Sequence, residues 1–375
     1  MPLRFNNSVS DPVKLHYFTG WPNFGDSLSS YLIEYLLGRR TVATHPYKAD
    51  LLAAGSLFGD GTVLFAPAGI SNTASDRPLY VWGSGFLEPK VRQGDAHPCR
   101  DLRILAVRGK ETERALRELG CLSDSDYPAL GDPGLFYPDL VQDCRTMRKK
   151  YDVAIVPHRY DKDAAHAVAE AFSGRGISTV LVDVMQRNPL NCVREIASAR
   201  KVLSSSLHAL IAADSLGIPN RRLVFAGYDD DSWRQYTISN FKFRDYYSAF
   251  GMQAREPLRS EDVQADPVGT LEGLTDADRV PPLKVEACKG DLLRALGQIA
   301  EVNGDRRIEL WLEDKLGYKD EEIAEAQRGR ERERQAKEEA QAYCEKLKAS
   351  KAYRIERALT GFCDKMRRLI TPEES

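Results

Sequence analysis

No apolar run in this chain approaches the roughly 18–20 residues a helix needs to cross a bilayer, so no membrane span is expected. Residues 1–18 also lack the short apolar region of a secretory signal, which sets the expectation of a cytoplasmic protein. Cysteine is present but unpatterned. Its seven copies, Cys99, Cys121, Cys144, Cys192, Cys288, Cys344 and Cys363, form no CxxC pair. That spacing argues against a zinc site and a disulfide framework, and fits a reducing compartment. Neither sign of charge dominates, the net being −2, so nothing points to nucleic acid. Acidic residues are dispersed, with no Asp-x-Asp pair at a strand end, and neither a metal nor a cofactor is expected. What remains is a chain of 375 residues, 42% hydrophobic and 29% charged, long enough for two domains.

The most informative stretch is 201–220, KVLSSSLHALIAADSLGIPN. An apolar pair, Val202 and Leu203, is followed by Ser204, Ser205 and Ser206. Leu207, Leu210, Ile211 and Leu216 then recur at helical spacing among alanines. Gly217 ends the helix and Pro219 blocks its restart. The pattern predicts a strand, a tight serine turn and a helix. A helix start of this kind offers hydroxyls, unpaired N–H groups and the positive end of the macrodipole, which together bind anions. His208 lies in the first turn, able to donate to phosphate or carboxylate or to shuttle a proton. Taken alone, the segment fits a structural cap as well as an active site.

The same strand–turn–helix grammar repeats along the chain. Residues 13–18 predict a strand, followed by Asn23, Gly25 and Asp26 and a helix over 24–37 that closes at Gly38. Asp26 is a good N-cap there and also a candidate functional carboxylate. Further strands are expected over 50–56, 79–86, 102–108 and 127–133, ending at Ser56, Ser84, Arg108 and Asp132. A polar segment, 142–150, reads as a linker. A second set of units follows, with strands over 152–158, 178–182, 202–206 and 221–225, and strand-end residues His158, Arg159, Asp183, Ser206 and His208. Alternating strands and helices imply parallel βαβ units with ligands beyond the strand C-termini. The fold expected is α/β with two Rossmann-like domains, residues 1–148 and 149–265. Packing helices follow over 290–318, the two helical patterns running 290–302 and 307–316. An aromatic–basic patch at 242–247, KFRDYY, suits a sugar or an anion as well as a core. The remainder, 319–375, predicts a charged helix to about residue 348. A basic amphipathic helix follows over 352–370, suited to an anionic membrane surface or to docking on the protein itself.

The motifs NFGDSLSSYLIEYL, AAGSLFGDG, VWGSGF, AVRGKETERALRELG, LGDPGLF, VPHRYD and SSSLHALIAADSLGIPN, in this order, resemble the polysaccharide pyruvyl transferases, in particular the bacterial exopolysaccharide ketal-pyruvate enzymes. The resemblance spans about residues 13–250. It implies a glycosyltransferase-B-like arrangement of the two Rossmann-like domains across a cleft. It also implies transfer of the enolpyruvyl group of phosphoenolpyruvate to two hydroxyls of one sugar, as a ketal. The acceptor it implies is a lipid-linked oligosaccharide or polysaccharide precursor at the cytoplasmic face of the membrane. On that resemblance His208, Asp26 and Asp132 are candidate catalytic groups. Arg108, the 204–207 turn (Ser204, Ser205, Ser206 and Leu207), His158, Arg159, Asn23, Gly25 and Ser84 are candidates for substrate binding. Arg108 offers a planar fork matched to carboxylate or phosphate. One departure stands out: many members carry Arg two residues before the histidine, where this chain has Ser206. His158, Arg159 or Arg244 would then supply the charge. Two rival functions share the pattern, a nucleotide-sugar glycosyltransferase and a non-enzymatic scaffold acting through the charged tail.

Overall fold

The computed structural model describes residues 12–20, 22–58, 77–88, 101–141, 143–225 and 240–299. The chain divides into two compact units, Met1–Leu312 and Glu313–Ser375. All described residues belong to the first. The helix expected over 307–316, the charged helix and the basic amphipathic stretch lie outside the described residues.

Two parallel sheets organise the first unit. One contains β1 (Val13–His16), β2 (Thr41–Ala43), β3 (Leu51–Leu52), β4 (Leu79–Ser84), β5 (Leu102–Val107) and β6 (Ala129–Leu130), in the order β2-β1-β3-β4-β5-β6. The other contains β7 (Tyr151–Val156), β8 (Thr179–Leu181), β9 (Ala199–Ser204), β10 (Asn220–Val224) and β11 (Leu258–Arg259), in the order β11-β10-β9-β7-β8. Numbered within its own sheet, each reads 2-1-3-4-5, with a sixth strand added to the first. This is the flavodoxin-like doubly wound order. It reverses direction between β1 and β3 in one sheet and between β7 and β9 in the other. The loops leaving those strands part to opposite faces, and ligands bind in the crevice so formed.

The strands are apolar runs because helices cover both faces of a parallel sheet. All of β4 is buried, as are the last four residues of β7. The helices are α1 (Phe24–Leu37), α2 (Lys110–Glu118), α3 (Lys162–Ser173), α4 (Pro189–Ala197), α5 (Leu207–Ser215), α6 (Asn240–Ser248), α7 (Ser260–Ala265), α8 (Pro267–Gly273) and α9 (Pro282–Leu296). The short edge strands β2 and β11 carry too little periodicity to be read from sequence. Helix α9 starts at Pro282 rather than at residue 290, because a proline at the first helical position has its φ preset and needs no amide donor. The KFRDYY patch is helical and forms most of α6. The stretch expected as a linker holds a 3₁₀ turn, Cys144–Thr146, whose Cys144 is buried.

Two elements bind the sheets together. Helix α6 follows β10, yet its Phe241 packs in the first sheet's core with Leu52, Phe58, Val81, Phe86 and Leu116. Helix α9 also packs on that sheet. Trp82 Nε1 donates to the Leu292 carbonyl at 2.8 Å, and Cys288 Sγ to the Leu130 carbonyl at 3.2 Å. The second sheet keeps its own core of Val153, Ile155, Val168, Phe172, Leu203 and Leu223.

Candidate active site

The loop after β1 turns into α1 through a cap. Asn23 accepts from the Gly25 N–H at 3.2 Å, and its Nδ2 donates to Asp26 Oδ2 at 2.8 Å. Asn23, not Asp26, is therefore the N-cap of α1. Asp26 lies in the first turn, 8% exposed. The loop after β3 approaches it: a Cβ at Gly55 would stand 3.1 Å from Asp26 Oδ1. Ser84, at the end of β4, donates to the Gly55 carbonyl at 3.0 Å and is fully buried. Asp132, after β6, caps the 3₁₀ segment Pro133–Leu140 with one oxygen, which accepts from the Gly134 N–H at 2.8 Å. Its other oxygen is buried with no hydrogen-bond partner among the described residues. Orphaned buried carboxylate oxygens are rare enough to demand a reason.

The loops after β7 and β9 supply the facing wall. Ser204 Oγ donates to the Val156 carbonyl at 2.6 Å and accepts from the Ser206 N–H at 2.9 Å. Ser205 Oγ donates to Asp161 Oδ2 at 2.6 Å and accepts from the His158 N–H at 2.8 Å. Two of the three serines thus tie the β7 and β9 loops together. Ser206 is the N-cap of α5 but makes no side-chain cap bond, so the first-turn N–H groups of Leu207, His208 and Ala209 are left for another acceptor. His158 Nδ1 is buried and without a partner among the described residues.

The two walls meet at His208. Its imidazole lies so close over Gly25 that a Cβ there would overlap the ring. Phe24 and Tyr137 pack edge-on against the same ring, with centroids 6.4 and 6.2 Å away. Tyr137 OH donates to the Gly25 carbonyl at 2.6 Å, fixing the backbone on which the imidazole rests. The starts of α1 and α5 meet at this imidazole.

Lys242, on α6, is a buried cation of the cluster. Burial, with Arg222 and Arg108 nearby, brings its pKa down to about 7, against the pull of Asp26 and Asp161. Burial pushes Asp26 up to about 7, opposed by Lys242 and aided by Asp132. Asp132 rises to about 6, again through burial, against the Gly134 N–H and Arg108. His208 is lowered to about 3 by enclosure of its ring and then by Lys242, Arg108 and His158. His158 falls to about 3 through burial, Lys242 and Arg159. Near neutral pH both imidazoles are neutral, while Asp26 and Lys242 titrate in the same range. Shifts of this size gathered in one place make the cluster a candidate functional site.

Arg108 reaches the cluster from β5 and is 1% exposed. Its Nε donates to Asp245 Oδ2 at 2.9 Å, Nη1 to Ser56 Oγ at 2.9 Å and Nη2 to the Phe86 carbonyl. Asp245, also on α6, further accepts from the Thr112 N–H at 2.8 Å and the Thr112 hydroxyl at 2.7 Å. The guanidinium therefore anchors α6 to the first sheet and acts on the cluster through its field.

Of the residues expected from sequence, Asn23, Gly25, Asp26, Ser84, Arg108, Asp132, His158, Ser204, Ser205, Ser206, Leu207 and His208 gather at these facing loops. Arg159 lies at the rim, its guanidinium 4.4 Å over the Tyr160 ring. Asp183 is drawn away into a surface ion pair with Lys162 at 2.8 Å. Arg244 is exposed, on the face of α6 turned from Lys242. Lys242 and Asp245 stand in the KFRDYY patch, whose aromatic–basic character was the signal for it in the sequence. Asp161 closes the VPHRYD motif but carried no signal of its own, and nothing local marked Tyr137.

A family model described as polysaccharide pyruvyl transferase matches residues 5–223. An uncharacterised protein of Acanthamoeba polyphaga mimivirus is 26% identical over 246 residues, covering 64% of this chain and 75% of that one. Among solved structures, an uncharacterised protein from Klebsiella pneumoniae is similar at 14% identity and a TM-score of 0.33, covering 61% of this chain and 89% of its own. A variant of the wall teichoic acid polymerase TagF is similar at 11% identity and a TM-score of 0.37, covering 84% and 90%.

Proposed function

The chain belongs to the polysaccharide pyruvyl transferase family, and from that membership we propose that it moves the enolpyruvyl group of phosphoenolpyruvate onto a sugar of a lipid-linked surface-polysaccharide precursor. The product is a cyclic pyruvate ketal. The observation that carries this reading is the seating of His208 on Gly25, which sets two helix starts and a buried group of Asp26, Asp132 and Lys242 around one point.

Phosphoenolpyruvate brings a carboxylate and a phosphate. Lys242 and the first-turn N–H groups of α5 are the donors that suit them, with Arg108 adding its positive field. Lys242 takes the place of the charge that many relatives carry two residues before the histidine. A bound polyanion also restores the charged form of Lys242 and raises the basicity of both imidazoles.

In the reaction a proton reaches the methylene carbon, and the carbon bearing the phosphate becomes oxocarbenium-like. One sugar hydroxyl adds there. The bond to the phosphate oxygen breaks, and the second hydroxyl closes the ring. Of the two hydroxyl protons, one balances the new methyl C–H and the other leaves with phosphate. Asp26, kept protonable by burial, is the acid for the methylene carbon. Neutral His208 accepts the proton of the attacking hydroxyl. The free oxygen of Asp132 accepts a hydrogen bond from the acceptor. Raised carboxyls and neutral imidazoles in one enclosure divide acid from base in this way.

The test is incubation with phosphoenolpyruvate and a lipid-linked acceptor from the producing organism, following phosphate release and the ketal methyl signal by NMR. Both are expected together. Phosphate release without a ketal, or neither with any such acceptor, overturns the reading.

A further inference from the structure

Behind α6 lies a cavity of about 340 Å³ that adjoins the cluster just described, since its Phe243 ring is 5.3 Å from the Lys242 ammonium. Its walls are β10, α6 and the chain over 252–259, closed by Asp278 and Arg279. Six arginines line it, Arg221, Arg222, Arg244, Arg255, Arg259 and Arg279, against two carboxylates, Glu256 and Asp278. Asp278 is already shared by Arg221 and by Arg255, the latter at 2.9 Å. Arg222, 7% exposed, lies over the Phe243 ring, with its guanidinium carbon 4.0 Å from the centroid. Arg244 and Arg259 are exposed at the mouth and make no ion pair among the described residues. Arg279 is paired with Asp276, outside the lining, at 2.9 Å, and the remaining positive charge still exceeds what these carboxylates balance.

The placement on α6 is regular. Asn240, Phe243, Arg244 and Tyr247 recur at i, i+3, i+4 and i+7 and face this cavity. Lys242 and Asp245 lie on the other face, toward the transfer cluster. The helix is therefore a wall with one cationic site on each side.

Guanidinium forks match phosphoryl oxygens in pairs, and a cavity that crowds them is completed by a multiply charged anion. Its volume exceeds one phosphate, and Phe243 and Tyr247 offer a ring surface to the group next to it. We infer that this cavity is a second ligand site that takes an organic diphosphate. On the proposed function, that diphosphate is the link between the glycan acceptor and its carrier, so the inference rests on that reading for its biological ligand only. The lipid-linked and nucleotide-linked forms share this chemistry.

The test is calorimetric titration of the full chain with inorganic pyrophosphate, orthophosphate, a short isoprenyl diphosphate and uridine diphosphate. The wild type is compared with a double variant, Arg244→Ala with Arg259→Ala. Both side chains are exposed, so the variant is expected to melt at the wild-type temperature. Pyrophosphate is expected to bind saturably, more tightly than orthophosphate, and to weaken at least about tenfold in the variant. Phosphoenolpyruvate affinity is expected to stay the same. Tighter binding of the isoprenyl form supports a lipid-linked source, and tighter binding of the uridine form a nucleotide-linked one. Absence of saturable binding, equal affinity in the variant, parity with orthophosphate, or displacement of pyrophosphate by phosphoenolpyruvate overturns the assignment. If phosphoenolpyruvate itself fails to bind while variant-sensitive pyrophosphate binding persists, the transfer reading falls and the cavity assignment stands.

Discussion

Asp26 and Lys242 show how burial turns ordinary side chains into reactive ones. Asp26 titrates near 3.8 in the open chain and near 7 in the fold. Between those values the native state holds more protons than the unfolded state. The contribution of Asp26 to stability is therefore complete below pH 4 and lost as pH rises through 7. The stability of the wild type relative to Asp26→Asn should fall across that window, by at most about 1.4 kcal/mol per pH unit. Urea unfolding at pH 5 and pH 8 measures it; a difference that is flat or rising with pH would remove burial as the cause. Lys242 sits in the opposite sense, a cation held where a neutral group would be cheaper. Lys242→Met removes the positive charge facing Asp26 and Asp161 and should cost stability through the carboxylates it leaves buried, while raising KM for phosphoenolpyruvate at least about tenfold if one charge-assisted contact of about 1.5 kcal/mol is lost. Steady-state kinetics with a melting curve separates the two effects.

Among elements, the opposed starts of α1 and α5 and the return of α6 matter most. The first depends on the close approach at Gly25. Any side chain there must displace His208, so Gly25→Ala is expected to cost about 1–3 kcal/mol of stability and to reduce kcat more than 100-fold, in line with a 1 Å misplacement of catalytic groups. A variant with normal kcat would show that the imidazole takes no part. Helix α6 is held by the Arg108–Asp245 pair, whose side chains are 1% and 0% exposed. Removing one partner leaves the other charge buried. Asp245→Ala is therefore expected to destabilise by about 3–5 kcal/mol, readable by denaturant titration. Loss of the Lys242-dependent phosphoenolpyruvate affinity is expected alongside it.

For the whole molecule, two sheets of the same winding order lie in one unit, stitched by α6 and α9, so their switch-point loops face each other. Residues 352–370, outside the described part of the chain, keep the basic amphipathic pattern expected of a membrane-surface helix. Deleting them is expected to lower recovery with anionic vesicles while leaving turnover of a soluble acceptor unchanged. Flotation with and without anionic lipid checks this, and equal recovery would assign the stretch to another role.

The sequence alone determined the local events. Alternating strands and helices, the helix start at Ser206, the stop at Gly38 and the strand-end residues were all legible, because periodicity and capping act within a few residues. Asp26 was legible as a polar residue at a helix start, but not as the carboxylate left over once Asn23 takes the cap. The tertiary structure decided the rest: the winding order, the seat of His208 on Gly25, the arrival of Lys242 and Asp245 on α6, and the orphaned oxygen of Asp132. Those depend on desolvation and on charges brought together through space from distant parts of the chain, and a pKa or an unpaired buried atom has no meaning until that burial exists.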